Sequence, residues 1–209
     1  MPERDGHFNM IYNVYLIRHA KTQANFEGRY IGTSDESLNE AGKIQLKKKI
    51  MEGYYPEVNK VYASSKKRCS QTAKLIYPDL SIKIVPALSE YDFGEFEGKN
   101  YLQLKNNPLY QKWVASGGTV GVPGGEDIQN YKERCCQAFE EIIREIKQDK
   151  TLKTALIIHG GAIMAIMENF SPVESVFFDW HVENCEGYRL EIEDELWQKE
   201  KIIASCNKL

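Results

Sequence analysis

Residues 11–25 read IYNVYLIRHAKTQAN. The first eight, Ile11–Arg18, are β-branched, aromatic and apolar, the composition of a buried strand, and that strand delivers His19 at its carboxyl end. Residues 154–161, TALIIHGG, repeat the pattern: a buried strand at 154–158 ends at His159, and a helix over 162–169 follows. A buried strand that stops at a histidine, twice, with helices between, predicts an α/β fold. The expected architecture is a three-layer sandwich with a mainly parallel central sheet flanked by helices. In such sheets sites form beyond the carboxyl ends of the strands, where both histidines are placed.

The remaining segments fit this scheme. Residues 34–51 carry a rough helical period with Ser37 as a candidate N-cap. Strands are expected at 61–64 and 82–85, the second closed by Pro86, and a helix at 66–77, stopped by Pro78. From 126 to 148, apolar residues at helical spacing, Tyr131 among them, predict one long amphipathic helix. Residues 186–192 and 197–204 read as a closing pair of strands. The alternation breaks over 88–125, a stretch rich first in aromatics and then in glycine. The chain is therefore expected to be one domain, 1–209, with an inserted helical lid over about 91–125.

Composition narrows the function. The chain has 209 residues, 42% hydrophobic and 27% charged, as expected of a globular protein. Its 27 Lys+Arg against 30 Asp+Glu give a net charge of −3, which disfavours a nucleic-acid partner. No apolar run approaches the ~20 residues that cross a bilayer, so no membrane partner is expected. A polar N-terminus without signal-peptide character and five cysteines lacking any CxxC pair suit a reducing cytoplasm.

Four short elements carry chemical potential. Arg18 and His19 sit at the first strand end, with Thr22 and Asn25 three and six residues beyond the histidine. Arg68 lies near the start of a helix that follows a strand. Glu90 and Tyr91 open the acidic, aromatic segment LSEYDFGEFEG at 88–98. His159 is followed by Gly160 and Gly161. Each element alone suits a solvated strand end, a basic helix end or a surface loop. Their order and spacing together are specific.

The set resembles the histidine phosphatase, or phosphoglycerate mutase-like, superfamily, over nearly the whole chain. The family signature is usually Arg-His-Gly, and here Ala20 replaces the glycine. The resemblance implies that His19 is the phosphorylated nucleophile and that Glu90 is the acid/base. Arg18, Arg68 and His159 would form the phosphate pocket, with Asn25 as a further donor, and Thr22, Gly160 and Tyr91 would line the substrate site. The residues suit these roles. Phosphoryl transfer needs positioning and neutralisation of charge on the equatorial oxygens. Arginine offers a planar fork that stays charged. Backbone N–H groups opening the helix after His159 favour an anion. Neutral imidazole is a competent nucleophile near pH 7. A bound phosphate dianion favours a protonated Glu90, so the acid role belongs to the enzyme–substrate complex. No cofactor and no metal are implied.

Within the superfamily, Tyr91–Gly94, Phe96–Gly98, Tyr110, Trp113 and Pro123–Glu126 look most like the alpha-ribazole phosphatase branch, which acts in cobalamin assembly. The expected partner is a small-molecule phosphomonoester, and the oligomeric state is left open. Asp92, Glu95 and Glu97 after Glu90 argue against a second anionic group on the substrate, and so against a mutase. Tyr91, Phe93, Tyr101, Tyr110 and Trp113 are candidate stacking surfaces for a flat leaving group. A phosphoglycerate mutase-type enzyme, a broad sugar or nucleotide phosphatase and a silent phosphate-binding module remain as alternatives. A two-histidine metal hydrolase lacks HExxH or HxH spacing, and its adjacent arginines would repel a divalent cation. The HGG segment imitates the oxyanion loop of lipases, but the chain has no GxSxG elbow.

Overall fold

The computed structural model describes residues 9–209, so residues 1–8, most of the polar N-terminus considered above, lie outside the described residues. In chain order the elements are β1 (Ile11–Arg18), α1 (Gln23–Phe26), α2 (Glu40–Met51), β2 (Lys60–Ala63), α3 (Lys67–Ile76) and β3 (Ile82–Ile84). Next come α4 (Tyr101–Leu104), α5 (Pro108–Ala115), α6 (Ile128–Gln148), β4 (Lys153–Ile158) and α7 (Gly160–Phe170). The chain closes with β5 (Gly187–Glu193), α8 (Asp194–Glu200) and β6 (Ser205–Lys208). Short 3-10 turns occupy Pro86–Leu88, Gly94–Phe96 and Phe177–Trp180.

Six strands among the described residues form one sheet in the order β3-β2-β4-β1-β5-β6. The first four are mutually parallel, and β5 and β6 complete the sheet antiparallel to their neighbours. The strands alternate in which face they present, as a period of two requires. Tyr12, Val14 and Leu16 of β1 join Leu156 and Ile158 of β4 in the core that packs against α6 and α7. Tyr15 and Ile17 join Val61, Ala155 and Ile157 on the opposite face, against Cys69 and Ala73 of α3. Both faces of β1 and β4 are thus covered, and their carboxyl ends are the natural opening between the layers. All five cysteines are free thiols, three of them buried.

Two local expectations are corrected. Residues 34–38 precede the helix instead of opening it: Asn39 caps α2 by accepting from Gly42 N at 2.7 Å. The preceding residues hold other elements together, Ser34 O accepting from Arg68 and Asp35 accepting from Lys67 N. The second correction concerns 197–204. The strand that follows β5 is Ser205–Lys208, which pairs with it, and Trp197 lies in α8. Acidic Asp194 and Glu195 in the first turn and Lys199 in the last suit the helix dipole. The Trp197 ring packs between Phe139 and Phe170, with centroids 5.7 and 5.0 Å away, a contact that local periodicity does not reveal.

Between Glu90 and Gly125 the chain forms one 3-10 turn, Gly94–Phe96, and the helices α4 and α5. Gly94 and the Pro123–Glu126 turn dock on each other: Glu95 N donates to Pro123 O and Glu126 N to Asp92 O. Gly94 has φ +46°, and a Cβ there would lie 2.3 Å from Pro123 O, so a side chain is excluded.

Candidate active site

His19 leaves β1 where the sheet ends, and its backbone N–H donates to Ile158 O of the neighbouring β4. Its Nδ1 lies 2.8 Å from Ala20 O. A carbonyl only accepts, so the proton is on Nδ1 and Nε2 keeps its lone pair. Burial, reinforced by the Arg68 guanidinium, holds the pKa of His19 well below the usual imidazole value, and the ring is neutral. Asn184 steadies the turn by donating to His19 O at 2.9 Å.

His159, at the end of β4, presents its ring edge-on to His19 with centroids 5.2 Å apart. Its Nδ1 accepts from Arg68 Nε at 3.3 Å, and its Nε2 faces the Ser64 hydroxyl at 2.8 Å. Burial and the same Arg68 keep His159 neutral. Arg68 is itself buried, carried on the first turn of α3 and anchored to Ser34 O and Gly32 O. Arg18 donates to Val182 O at 2.6 Å and lies 3.4 Å from His181 Nε2. Its buried Nε has no hydrogen-bond partner among the described residues. A buried guanidinium N–H left open beside two neutral histidines is a vacant donor for an anion.

Glu90 stands on the other side of the α7 N-terminus. Its Oε2 accepts from Gly161 N at 3.2 Å, and its Oε1 accepts from Tyr91 N at 3.0 Å and from the Tyr131 hydroxyl at 2.6 Å. Gly160 opens α7 against Arg18, whose guanidinium carbon would be 3.4 Å from an added Cβ. The structure therefore gathers Arg18, His19, Arg68, Glu90, His159 and Gly160 around the ends of β1 and β4. Asn25 joins them through Asn184, which donates to its Oδ1 at 3.4 Å. Thr22 departs from the expectation. Its side chain is fully buried and caps α1, accepting from Asn25 N, so it holds Asn25 instead of facing a ligand.

Beside Arg18, Glu90 and Gly160 opens a cavity of about 510 Å³, whose lining does not include His19, Arg68 or His159. Arg18, Glu90 and His181 lie at its polar end, and Tyr30, Tyr91, Phe93, Trp113, Phe177 and Phe178 form aromatic walls. One ion pair breaks the apolar lining, Lys132–Glu168 at 2.6 Å. The Trp113 indole N–H is buried with no partner among the described residues. Asp92, Glu95 and Glu97 do not line this cavity. Glu97 accepts from Gly32 N and Ser34 N, and Asp92 from Gly94 N, so these carboxylates brace backbone turns. Tyr101 is exposed on α4 and Tyr110 is buried against Tyr30, leaving Tyr91, Phe93 and Trp113 of the five expected stacking rings. Tyr30, Tyr131, Phe177, Phe178 and His181 were missed. Tyr131 carried only a core-helix signal, and the others come from segments without periodicity.

Among the described residues no group of three or more His, Cys, Asp or Glu side chains is placed to hold a metal ion. No helix among them is long and apolar enough to cross a membrane. The family model for the histidine phosphatase superfamily (branch 1) matches residues 14–204, spanning every element that builds this site. The chain belongs to that superfamily. It is 25% identical over 181 residues to the adenosylcobalamin/alpha-ribazole phosphatase of Escherichia coli, covering 83% of this chain and 86% of that one. It is 27% identical over 174 residues to a metal-independent phosphoserine phosphatase of Arabidopsis thaliana, covering 79% and 71%. The crystal structure of the alpha-ribazole phosphatase from Shigella flexneri superposes with a TM-score of 0.75 at 21% identity, covering 91% and 93%. Membership and these phosphatase relatives support a phosphatase.

In this superfamily member the alanine at position 20 is accommodated away from the site. Its methyl belongs to a small apolar cluster with Leu38, Leu46 and Cys185, and its N–H donates to Thr72 Oγ1 at 3.0 Å.

Proposed function

We propose that this chain is a metal-independent phosphomonoesterase that works through a phosphohistidine at His19. The observation that carries the reading is the pairing of an Nδ1-anchored, neutral His19 with the open Arg18 Nε–H, across from Glu90. The Nε2 lone pair attacks phosphorus, the P–O ester bond breaks, and the leaving oxygen takes a proton from Glu90. Water then attacks the phosphohistidine, returns one proton to Glu90, and the N–P bond breaks to release phosphate. Arg18, Arg68 and the α7 N-terminus balance charge on the equatorial oxygens, the work a divalent ion does in other phosphatases. Asn25, Gly160 and Tyr91 complete the substrate site.

The preferred leaving group is a ring-bearing, weakly charged alcohol. The aromatic walls favour a flat surface. Lys132 and Glu168 satisfy each other, so this lysine is not offered to a second anionic group. Alpha-ribazole 5′-phosphate, suggested by the names of two relatives, is the first substrate to try. Quenching turnover of a ³²P-labelled monoester should trap an acid-labile phosphoprotein whose label maps to His19. Turnover without any such adduct, at rates fast enough to detect it, would reject the mechanism.

A further inference from the structure

The long helix α6 reaches Glu90 at two points. From one turn Tyr131, fully buried, donates its hydroxyl proton to Glu90 Oε1 at 2.6 Å. One turn later Arg134 stacks 4.8 Å from the Tyr131 ring, donates to Ser89 O at 2.8 Å and Glu90 O at 3.3 Å, and is clamped by both oxygens of Glu126. From the opposite side the chain leaves room for the contact. A Cβ on Gly161 would fall 2.4 Å from both Glu90 Oε1 and the Tyr131 hydroxyl, so the pair can form only because that residue is glycine. Burial, with the Glu90 charge next to it, raises the pKa of the Tyr131 phenol well above its usual value, and it stays a donor.

We infer that Tyr131 is a positioning residue that makes Oε2 the proton-exchanging oxygen of Glu90. The inference rests on the acid/base reading of Glu90 given above. Oε1 already accepts two hydrogen bonds, from Tyr131 and from Tyr91 N, which engage its lone pairs. Among the described residues Oε2 accepts only from Gly161 N and keeps one lone-pair site open. In the first step the proton on Oε2 passes to the leaving oxygen as the P–O bond breaks and the Nε2–P bond forms. In the second step Oε2 takes a proton from the attacking water as the O–P bond forms and Nε2–P breaks. Tyr131 keeps its own proton throughout. A carboxylate held by one strong bond on Oε1 cannot swing that oxygen toward the substrate, so the acid meets the ester in one orientation.

The test is Tyr131→Phe, which removes one oxygen and keeps the ring. It is compared with Glu90→Gln on two monoesters, p-nitrophenyl phosphate and an alkyl phosphate such as glycerol phosphate, through kcat/KM, which ends at formation of the phosphoenzyme. Tyr131→Phe should lose about 10- to 100-fold on the alkyl ester, the scale of a hydrogen bond to a charged group, and less than about threefold on the nitrophenyl ester. Vanadate affinity should stay at the wild-type value. Gly161→Ala, which pushes the pair apart from the other side, should show the same selectivity and gives a second reading if Tyr131→Phe folds poorly. Equal losses on both esters in both variants, with Glu90→Gln still selective, would overturn the positioning role alone. If Glu90→Gln itself shows no selectivity, the acid/base reading of Glu90 fails first.

Discussion

The imidazole rings of His19 and His159 meet edge-on, with centroids 5.2 Å apart and planes 68° from parallel. They are far apart in sequence, yet adjacent strands place them side by side, because β1 pairs in parallel with β4 up to Arg18 and Ile158. Arg68 donates to one of the two rings, and its charge lowers the pKa of both. A proton on either imidazole would place a second cation beside that arginine. Two neutral rings are therefore the stable arrangement of this site.

That neutrality has a cost in acid. Both histidines hold pKa values below those of the unfolded chain, so unfolding takes up protons once the pH drops below about 6.5. Their contribution to stability is complete above that pH and is lost as the pH falls. Each ring adds a slope of about 1.4 kcal/mol per pH unit below the unfolded value and above the folded one. Urea unfolding at pH 7.0 and 5.5 should show the loss, and His159→Gln should flatten it by about half. A stability unchanged across that window would mean that the rings are charged when folded.

Arg18→Lys is expected to be far from conservative. The open Nε–H belongs to a planar fork whose Nη1 is already fixed on Val182 O, and an ammonium cannot reproduce both contacts. Steady-state kinetics should give a fall in kcat/KM of about 100-fold, comparable to removal of one charge-stabilising donor. His19→Ala should be lower still, at the background rate. Wild-type kinetics in the lysine variant would show that the fork is dispensable.

Activity is expected to survive excess chelator, with vanadate or tungstate competing against substrate, because the cations at the site are covalent parts of the chain. The measurement is turnover of p-nitrophenyl phosphate with and without EDTA. Loss of activity restored by one divalent ion would place the reaction with the metal hydrolases.

Trp113→Ala should raise KM for ring-bearing esters by about tenfold and leave phosphoserine nearly unaffected, since the indole is part of the cavity wall. A panel of alpha-ribazole 5′-phosphate, a nucleoside 5′-monophosphate, phosphoserine and 3-phosphoglycerate reads out the preference. Isomerisation of 3-phosphoglycerate without phosphate release would assign a mutase instead. A preference for the nucleotide would reject only the alpha-ribazole branch.

The local sequence determined the strands that end at His19 and His159, the long helix α6, the parallel core of the sheet and the set of basic, acidic and histidine side chains near the strand ends. Periodicity and chain punctuation are local, and a buried strand or an amphipathic helix writes them into consecutive residues. The tertiary structure decided what each side chain does once the elements meet. Thr22 became a cap, Asp92 and Glu97 became backbone braces, and the Ala20 methyl turned into a side cluster. Trp197 entered α8 because Phe139 and Phe170, from α6 and α7, supplied its packing partners. Tyr131 looked like one more apolar position on a helix until Glu90 arrived at its hydroxyl. A hydrogen bond between residues distant in the chain depends on the relative placement of whole elements, and no window of neighbouring residues encodes it.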